Sequence, residues 1–386
     1  MKFHGIKKFR KVKILCVQIV TNNKLDEDIK QMLKPLDLIQ LITFYPKYSI
    51  KNNKLTPNTL LTDVFTLLVT FLYSSAHICG IYYNRIHVLP RGTITTFVND
   101  IASVVYCVGF LTSFSLSVMR THDNIALVMT IQSIHRILNT DKIYFKRFVL
   151  WNWIYSIMIL SFYIIVITYF TVTLNMSPLT IFCSLCHLTY DINQIYTMRI
   201  INFLENKVET LRANILKFGN MEERESLGYI EEHFEKLFTA YKDVWKCYDL
   251  LQSLFQLPML YVTVQLVIQT LIQIQLTLVL VAMKMSFFSL CLWMSKNVIL
   301  FVLLNKNGEN FYRAMEDLRE TCIKLLGSSV SEPERRMLKN ILRIQTSSRR
   351  KLNVFGLFDV DAKLYVVTLT IIANYTFVLL QFAFVK

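Results

Sequence analysis

Apolar residues along this chain gather into long runs instead of alternating with polar ones, the pattern of helices that cross a bilayer. Read with a window of about 20 residues, the length that spans a hydrocarbon core, the sequence predicts seven spans at 60–83, 96–119, 149–174, 178–200, 255–283, 285–305 and 364–385. The fourth is the least apolar because it carries His187 and Asp191. It also sets the parity of the chain, since removing it would invert every later span.

A different periodicity fills the stretches between spans. After the fourth, Ile201, Leu204, Val208, Leu211, Ile215 and Phe218 recur at steps of three and four with charged residues between them, so the span continues as an amphipathic helix. Gly219-Asn220 is a stop signal. Leu227, Ile230, Phe234, Leu237, Tyr241, Val244, Tyr248 and Leu251 then restart the pattern and run into the fifth span. The prediction is a long antiparallel hairpin whose arms project about 30 to 40 Å at 1.5 Å per residue. A third such helix follows the sixth span, with Phe311, Met315, Leu318, Cys322 and Leu325 ahead of Gly327. A fourth starts at Ser331, where Ser331 and Glu334 have the spacing of a capping box and Pro333 sits in the first turn. Two readings of these helices stay open: packing within one subunit, or an anchor that joins several.

Composition agrees with the pattern. Of 386 residues 53% are hydrophobic, 13% aromatic and 18% charged, and 9 Gly and 7 Pro leave few places for tight turns. The fold class expected is all-α, a polytopic membrane protein in the plasma membrane. The Cys residues are scattered and form no disulfide framework. Cys183 and Cys186 make one CxxC without a second ligand pair, so no metal is implied, and no cofactor either. The basic start and the short apolar stretch 14–20 are followed by polar residues with no small-residue cleavage site, which reads as no signal peptide.

Charge changes the picture by orienting the spans. The net charge of +15 lies in alternate connections: 1–59, 120–148, 201–254 and 306–363 hold twelve, five, seven and twelve Lys or Arg. The other connections hold only Arg85, Arg91 and Lys284, with Lys386 at the C-terminal end. The basic set belongs in the cytosol, so the N-terminus is inside and the C-terminus outside. A G-protein-coupled receptor has the opposite orientation, and a nucleic-acid-binding role would need one basic patch, so both are excluded. The sequon Asn175-Met176-Ser177 lies on the outer side, too close to the membrane and to Pro178 to serve as a glycan site. The expected division is a cytosolic N-terminal segment (1–59), spans one to four (60–200), a cytosolic helical hairpin (201–254), spans five and six (255–305), cytosolic anchor helices (306–363) and the last span (364–386).

The C-terminal thirty residues carry the most specific signal. Gly356-Leu357-Phe358-Asp359-Val360-Asp361 leads into an apolar helix that ends Asn374-Tyr375-Thr376-Phe377-Val378-Leu379-Leu380-Gln381-Phe382. This resembles the insect gustatory receptor family, whose last span ends with Thr-Tyr, five hydrophobic residues and Gln-Phe after a Gly-x-Phe-x-x-Asp lead-in. Tyr375, Gln381, Phe382, Gly356, Phe358 and Asp361 match at the right spacing, whereas Asn374 and Thr376 depart from it. The resemblance implies a ligand-gated, nonselective cation channel, a homotetramer or a heterotetramer with sister receptors, in which the last span of each subunit lines a central pore and cations permeate. Gln381 and Phe382 take the gate position of the motif, with Val378 one turn deeper. Val378, Gln381 and Phe382 share one helical face, and a ring of such side chains blocks ions by dewetting. Taken alone, Gln381 at interfacial water and Phe382 in an aromatic belt would account for the same residues.

Polar groups inside spans face the bundle or a cavity. Gln265, Gln269 and Gln273 recur at steps of four beyond Tyr261, either for interhelical bonding or, for Gln269 and Gln273, to line a ligand pocket. Asn99, Asp100, Tyr169, His187, Tyr190 and Trp293 are the other pocket candidates, facing an extracellular vestibule that suits a small-molecule tastant, a sugar or a bitter compound. Lys296 and Asp191 lie at comparable depth in spans six and four and are expected to pair. The rival readings are an odorant receptor of the same superfamily and a secondary transporter. A transporter predicts internal repeats and broken helices, and no span carries paired internal Gly or Pro. The His residues are too dispersed for a catalytic constellation, so no enzyme is expected.

Overall fold

With so few helix breakers, most of the chain has no alternative to satisfying its backbone within helices, as a lipid solvent demands. The computed structural model describes residues 24–87, 94–139, 142–173, 178–218, 227–282, 288–328, 330–348 and 351–384. Its helices in chain order are α1 (Glu27–Ile42), α2 (Leu60–His87), α3 (Ile94–Phe114), α4 (Thr121–Ile137), α5 (Lys142–Thr173), α6 (Pro178–Cys186), α7 (Leu188–Phe218), α8 (Leu227–Ala282), α9 (Phe288–Leu326), α10 (Glu332–Ser348) and α11 (Ala362–Phe384). Two antiparallel hairpins, β1 (Ser49–Lys51) with β2 (Lys54–Thr56) and β3 (Asn353–Val354) with β4 (Phe358–Asp359), introduce α2 and α11. The sequon at Asn175, the stop at Gly219-Asn220 and the N-terminal apolar stretch 14–20 lie outside the described residues.

The all-α architecture agrees with the hydropathy pattern. Four helices are long and apolar enough to cross a membrane among the described residues, over Leu60–Gly80, Asp100–Met119, Lys142–Tyr169 and Glu231–Gln275, and Ala362–Val378 of α11 is a shorter apolar stretch. The second arm of the expected hairpin and the fifth span are one helix, α8, 56 residues long with Pro258 inside it. The amphipathic stripes meet each other: Leu204, Val208, Leu211 and Ile215 of α7, Tyr241, Val244 and Leu251 of α8 and Leu318 and Cys322 of α9 are all completely buried. Outside the membrane this burial is hydrophobic in origin, about 1.5–3 kcal/mol for each large side chain. Within lipid that driving force vanishes, and packing and hydrogen bonds between helices take over. The outer layer is added by polar contacts, with Ser133 of α4 donating to Asp243 of α8 at 2.6 Å and Gln345 of α10 to the Met315 carbonyl at 2.7 Å.

Two features are not read from the sequence. The fourth span is not continuous: α6 and α7 are separated at His187, whose N–H turns back to the Ser184 carbonyl at 3.3 Å while its own carbonyl accepts from Tyr190 at 3.0 Å. A tightened turn breaks this span without Gly or Pro, so the expectation that no span is broken is corrected.

The second feature lies in 1–59, expected as a cytosolic N-terminal segment. α1 ends at Thr43, and Phe44 reverses the chain in the left-handed region, φ 63°. The reversal is held from inside the bundle. Thr66 of α2 donates to the Phe44 carbonyl at 3.1 Å, Tyr45 and Thr70 share a hydrogen bond of 3.0 Å, and Ser117 donates to the Tyr45 carbonyl at 2.9 Å. Thr66 and Thr70 are about 9 and 15 Å along α2 from its first residue. The loop therefore packs beside α2 before the chain leaves through β1, with its carbonyls satisfied by protein groups. Ser117 belongs to a π-helical turn, Ser115–Met119, at the end of α3, where Asn124 takes the spare Leu116 carbonyl at 2.8 Å. Lys47 follows the loop, fully buried, its ammonium 3.3 Å above the Tyr196 ring and 5.1 Å from that of Phe255.

Candidate functional site

The break at His187 is the centre of an aromatic cluster to which five elements contribute. The His187 ring stacks on Tyr106 of α3 at 4.0 Å between centroids, lies 5.5 Å from His77 of α2, and meets Trp293 of α9 edge-on at 5.5 Å. Tyr190 of α7 donates its hydroxyl to the Tyr106 carbonyl at 2.7 Å and packs its ring 5.1 Å from Tyr261 of α8. Gly109 makes this approach possible, because a Cβ there would lie 2.3 Å from the Tyr261 ring. Both ring nitrogens of His187 and Nε2 of His77 are buried without a hydrogen-bond partner among the described residues. The cluster thus combines packed ring faces with buried ring nitrogens that have unspent hydrogen-bonding capacity among the described residues.

An ion pair closes one side of the cluster. Lys296 Nζ binds Asp191 Oδ2, and Asp191 also accepts from the Tyr163 hydroxyl at 2.8 Å. The ammonium sits 4.6 Å from the Trp293 ring centroid, so the pair, the aromatic wall and α5, α7 and α9 are one unit. Such a pair is stable in a span because each charge neutralises the other and the tyrosine supplies a further bond.

The pocket candidates divide into three groups. His187, Tyr190 and Trp293 come together in the cluster. Gln269 lies farther along α8, where its side-chain oxygen accepts from Asn297 of α9 at 3.1 Å, an interhelical bond, and from Gln265 at 3.4 Å; Gln273, one turn on, has a buried side-chain oxygen without a partner among the described residues. Tyr169 stands apart, its ring 6.3 Å from that of Phe288 at the start of α9, and Asp100 is half-buried near the start of α3. The side chains of Asn99 and Phe382 lie outside those the structure describes. His77, Tyr106, Tyr163 and Gly109 were missed by sequence reasoning; a His inside a span and one of few glycines were the available signals. Two surface grooves of about 320 and 330 Å³ flank Arg136 at the end of α4, away from the cluster and lined with charged groups such as Asp243, Lys246 and Asp26.

The C-terminal motif has a structural role for each matched residue in its lead-in. Gly356 takes the hairpin turn at φ 79°, Phe358 pairs with Val354 in β4, and Asp361 caps α11 by accepting from Lys363 at 3.0 Å and Leu364 at 3.3 Å. Lys351 donates to the same carboxyl at 2.6 Å, and its charge holds Asp361 below the usual carboxylate range against the opposing effect of burial. The hairpin is fastened to α9, where Tyr312 accepts from the Leu352 N–H at 2.7 Å and donates to the Val360 carbonyl at 3.1 Å. Gly308 allows the contact, since a Cβ there would lie 2.7 Å from that carbonyl. Beyond the cap, α11 packs on α8 and α9 with a narrow stripe that includes Thr368 and Ile372, while Val366, Val367, Ile371, Tyr375, Phe377 and Val378 are exposed, as is Gln381.

Comparison with known proteins gives a consistent answer. No curated protein matches the sequence. The olfactory receptor OR5 of the insect Machilis hrabei is similar in structure, with a TM-score of 0.65 at 12% identity over 92% of this chain and 100% of that one. The same receptor in complex with eugenol matches with a TM-score of 0.59 at 11% identity, with the same coverage. The profile described as 7tm chemosensory receptor matches residues 37–386. This chain, a multi-pass membrane protein with the seven-helix fold of an insect olfactory receptor, belongs to the 7tm chemosensory receptor family.

Proposed function

We propose that the chain is a gustatory receptor that works as a ligand-gated, nonselective cation channel, with a cytosolic N-terminus and a tetramer of chains around a central pore. The observation that carries the proposal is α11: an apolar helix that leaves most of its circumference uncovered within one chain, yet carries an exposed Gln381 on the face of Val378. Such a helix needs neighbours on its apolar flanks and water near its amide. Four copies around an axis supply both, with Val378, Gln381 and Phe382 at the constriction. The motif of Tyr375, Gln381 and Phe382 favours taste over smell. A tastant takes the aromatic cluster, where His187, Tyr190 and Trp293 bear on it; Asn99, Asp100, Tyr169, Gln269 and Gln273 belong to the outer approach. The arms of α7 and α8 with α9 and α10, within 201–254 and 306–363, form the cytosolic anchor between subunits, and the β3–β4 hairpin joins it to α11.

Whole-cell recording from cells that express the chain alone, challenged with sugars and bitter compounds, tests this reading against Phe382→Ala. A ligand-evoked cation current with raised basal leak in the variant is expected. Transport without current would overturn it. The alternative is an odorant receptor subunit, which the likeness to OR5 favours; it predicts silence alone and a current with a co-receptor and a volatile ligand.

A further inference from the structure

The outward face of α10 carries cations along its length and hydroxyls at its end. Its apolar side is committed to the bundle: Met337, Leu338 and Ile341 are buried, and Gln345 is the residue that bonds to α9. Arg336, Lys339, Arg343, Thr346 and Ser347 are all exposed. Counted from Arg336 they fall at i+3, i+7, i+10 and i+11, which places them on one face of the helix. None of the three cations forms an ion pair with a described carboxylate.

Thr346 stands two residues before the end of α10. Its hydroxyl bonds only to the Leu342 carbonyl of its own helix, at 2.8 Å, just as that of Ser347 bonds to Ile344 at 3.0 Å. Arg343 precedes Thr346 by three residues, and Arg349 and Arg350 follow it. An exposed hydroxyl three residues after an arginine is the charge pattern that arginine-directed Ser/Thr kinases select, the guanidinium pairing with acidic groups beside the kinase's active site. Such enzymes take their substrate extended, and the last turn of a helix frays most readily. We propose that Thr346 is a phosphorylation site for a kinase of this class, an inference that rests on 306–363 facing the cytosol, where ATP is. In the reaction the γ-phosphorus of ATP forms a bond to Thr346 Oγ1 as its bond to the β–γ bridging oxygen breaks. ADP leaves, and the hydroxyl proton passes to the kinase's base. The product has lost its donor to Leu342 and sets a dianion against the negative end of α10, which loosens the last turn. That turn leads within five residues to Lys351, whose ammonium holds the Asp361 cap of α11, so the modification bears on the entry to the last span.

The test incubates the full chain, purified in detergent, with ATP and calcium/calmodulin-dependent protein kinase, and locates phosphate by tandem mass spectrometry. Label on Thr346 is expected, and none at that position in Thr346→Ala. In Arg343→Gln it should appear about tenfold more slowly, the loss of one charge-assisted hydrogen bond to the kinase. Arg343→Lys keeps the charge and should stay nearer the wild-type rate, which separates recognition from a disturbed helix. Amide hydrogen exchange over 342–351 should quicken once the phosphate is on. The same phosphate should be present on protein recovered from cells. An unlabelled Thr346, a rate indifferent to Arg343→Gln, exchange that the phosphate leaves unchanged, or label on the purified chain but none in cells would each overturn the proposal. A protease-cleavable tag after Lys386 tests the orientation separately: cleavage from outside intact cells keeps α10 in the cytosol whatever the kinase does.

Discussion

Gly109 shows how a single hydrogen in place of a methyl group decides the meeting of two spans. Gly109→Ala must move the Tyr261 ring, an overpacking that costs about 1–3 kcal/mol. Purified protein should therefore melt earlier, and any ligand response should shift with it; an unchanged Tm would mean that the ring has room to turn. The Lys296 and Asp191 pair makes the opposite kind of prediction. Lys296→Met leaves a buried carboxylate with only Tyr163 as partner and should cost about 3–5 kcal/mol, visible as lost surface expression, whereas adding Asp191→Asn should recover part of it. Failure of the double variant to recover would assign the loss to Lys296 packing on Trp293 instead. At this scale the sequence was legible where a residue type was out of place. His187, Asp191 and Lys296 are conspicuous in spans because lipid penalises them. Tyr106, Tyr163 and Gly109 are not, since an aromatic or a glycine in a span is as often packing or belt as pocket, and only their mutual geometry separates the cases.

Elements were legible as far as their periodicity ran. The stripes from Ile201 and Phe234 onward read correctly because a heptad-like repeat has one stable use, burial against another helix. The break at His187 and the reversal at Phe44 follow no such repeat: the first has neither Gly nor Pro, the second has only Pro46 two residues on, and both are held by partners elsewhere, Tyr106 in one case and Thr66, Thr70 and Ser117 in the other. Two predictions belong here. Asp361→Ala removes the cap of α11 and the anchor of Lys351, and should cost about 1 kcal/mol or more in thermal stability. Where α4 meets α7, Lys207 is buried 3.0 Å from His135 Nδ1 and donates to the Leu138 carbonyl at 2.7 Å. Burial lowers its ammonium to about 7, and burial with the nearby Lys207 charge lowers His135. Both groups hold fewer protons folded than unfolded, so stability should rise with pH from about 7 toward 10 through Lys207 and fall further below 6.5 through His135. Lys207→Met should flatten the upper part of that profile, measured as Tm in detergent at pH 6, 7.5 and 9; an unaltered slope would remove Lys207 as its source.

For the molecule as a whole, hydropathy gave the spans and charge gave a direction, but neither tells how chains meet. The β3–β4 turn presents Phe355 and Leu357 to solvent, 55% and 68% exposed, directly before the uncovered face of α11. Phe355→Ser with Leu357→Ser should shift the detergent-solubilised protein toward smaller assemblies by size-exclusion with light scattering if the hairpin lies between subunits, and should leave the mass unchanged if it does not. The loop at Phe44 bears on how the protein is made. Tyr45 and Lys47 leave the ribosome before every group that holds them: Thr70, Ser117, Tyr196 and finally Phe255. This segment is thus seated only after α8 has been made. It must wait while the later helices are made, so the pairing of Tyr45 and Lys47 with their partners is a late step of assembly.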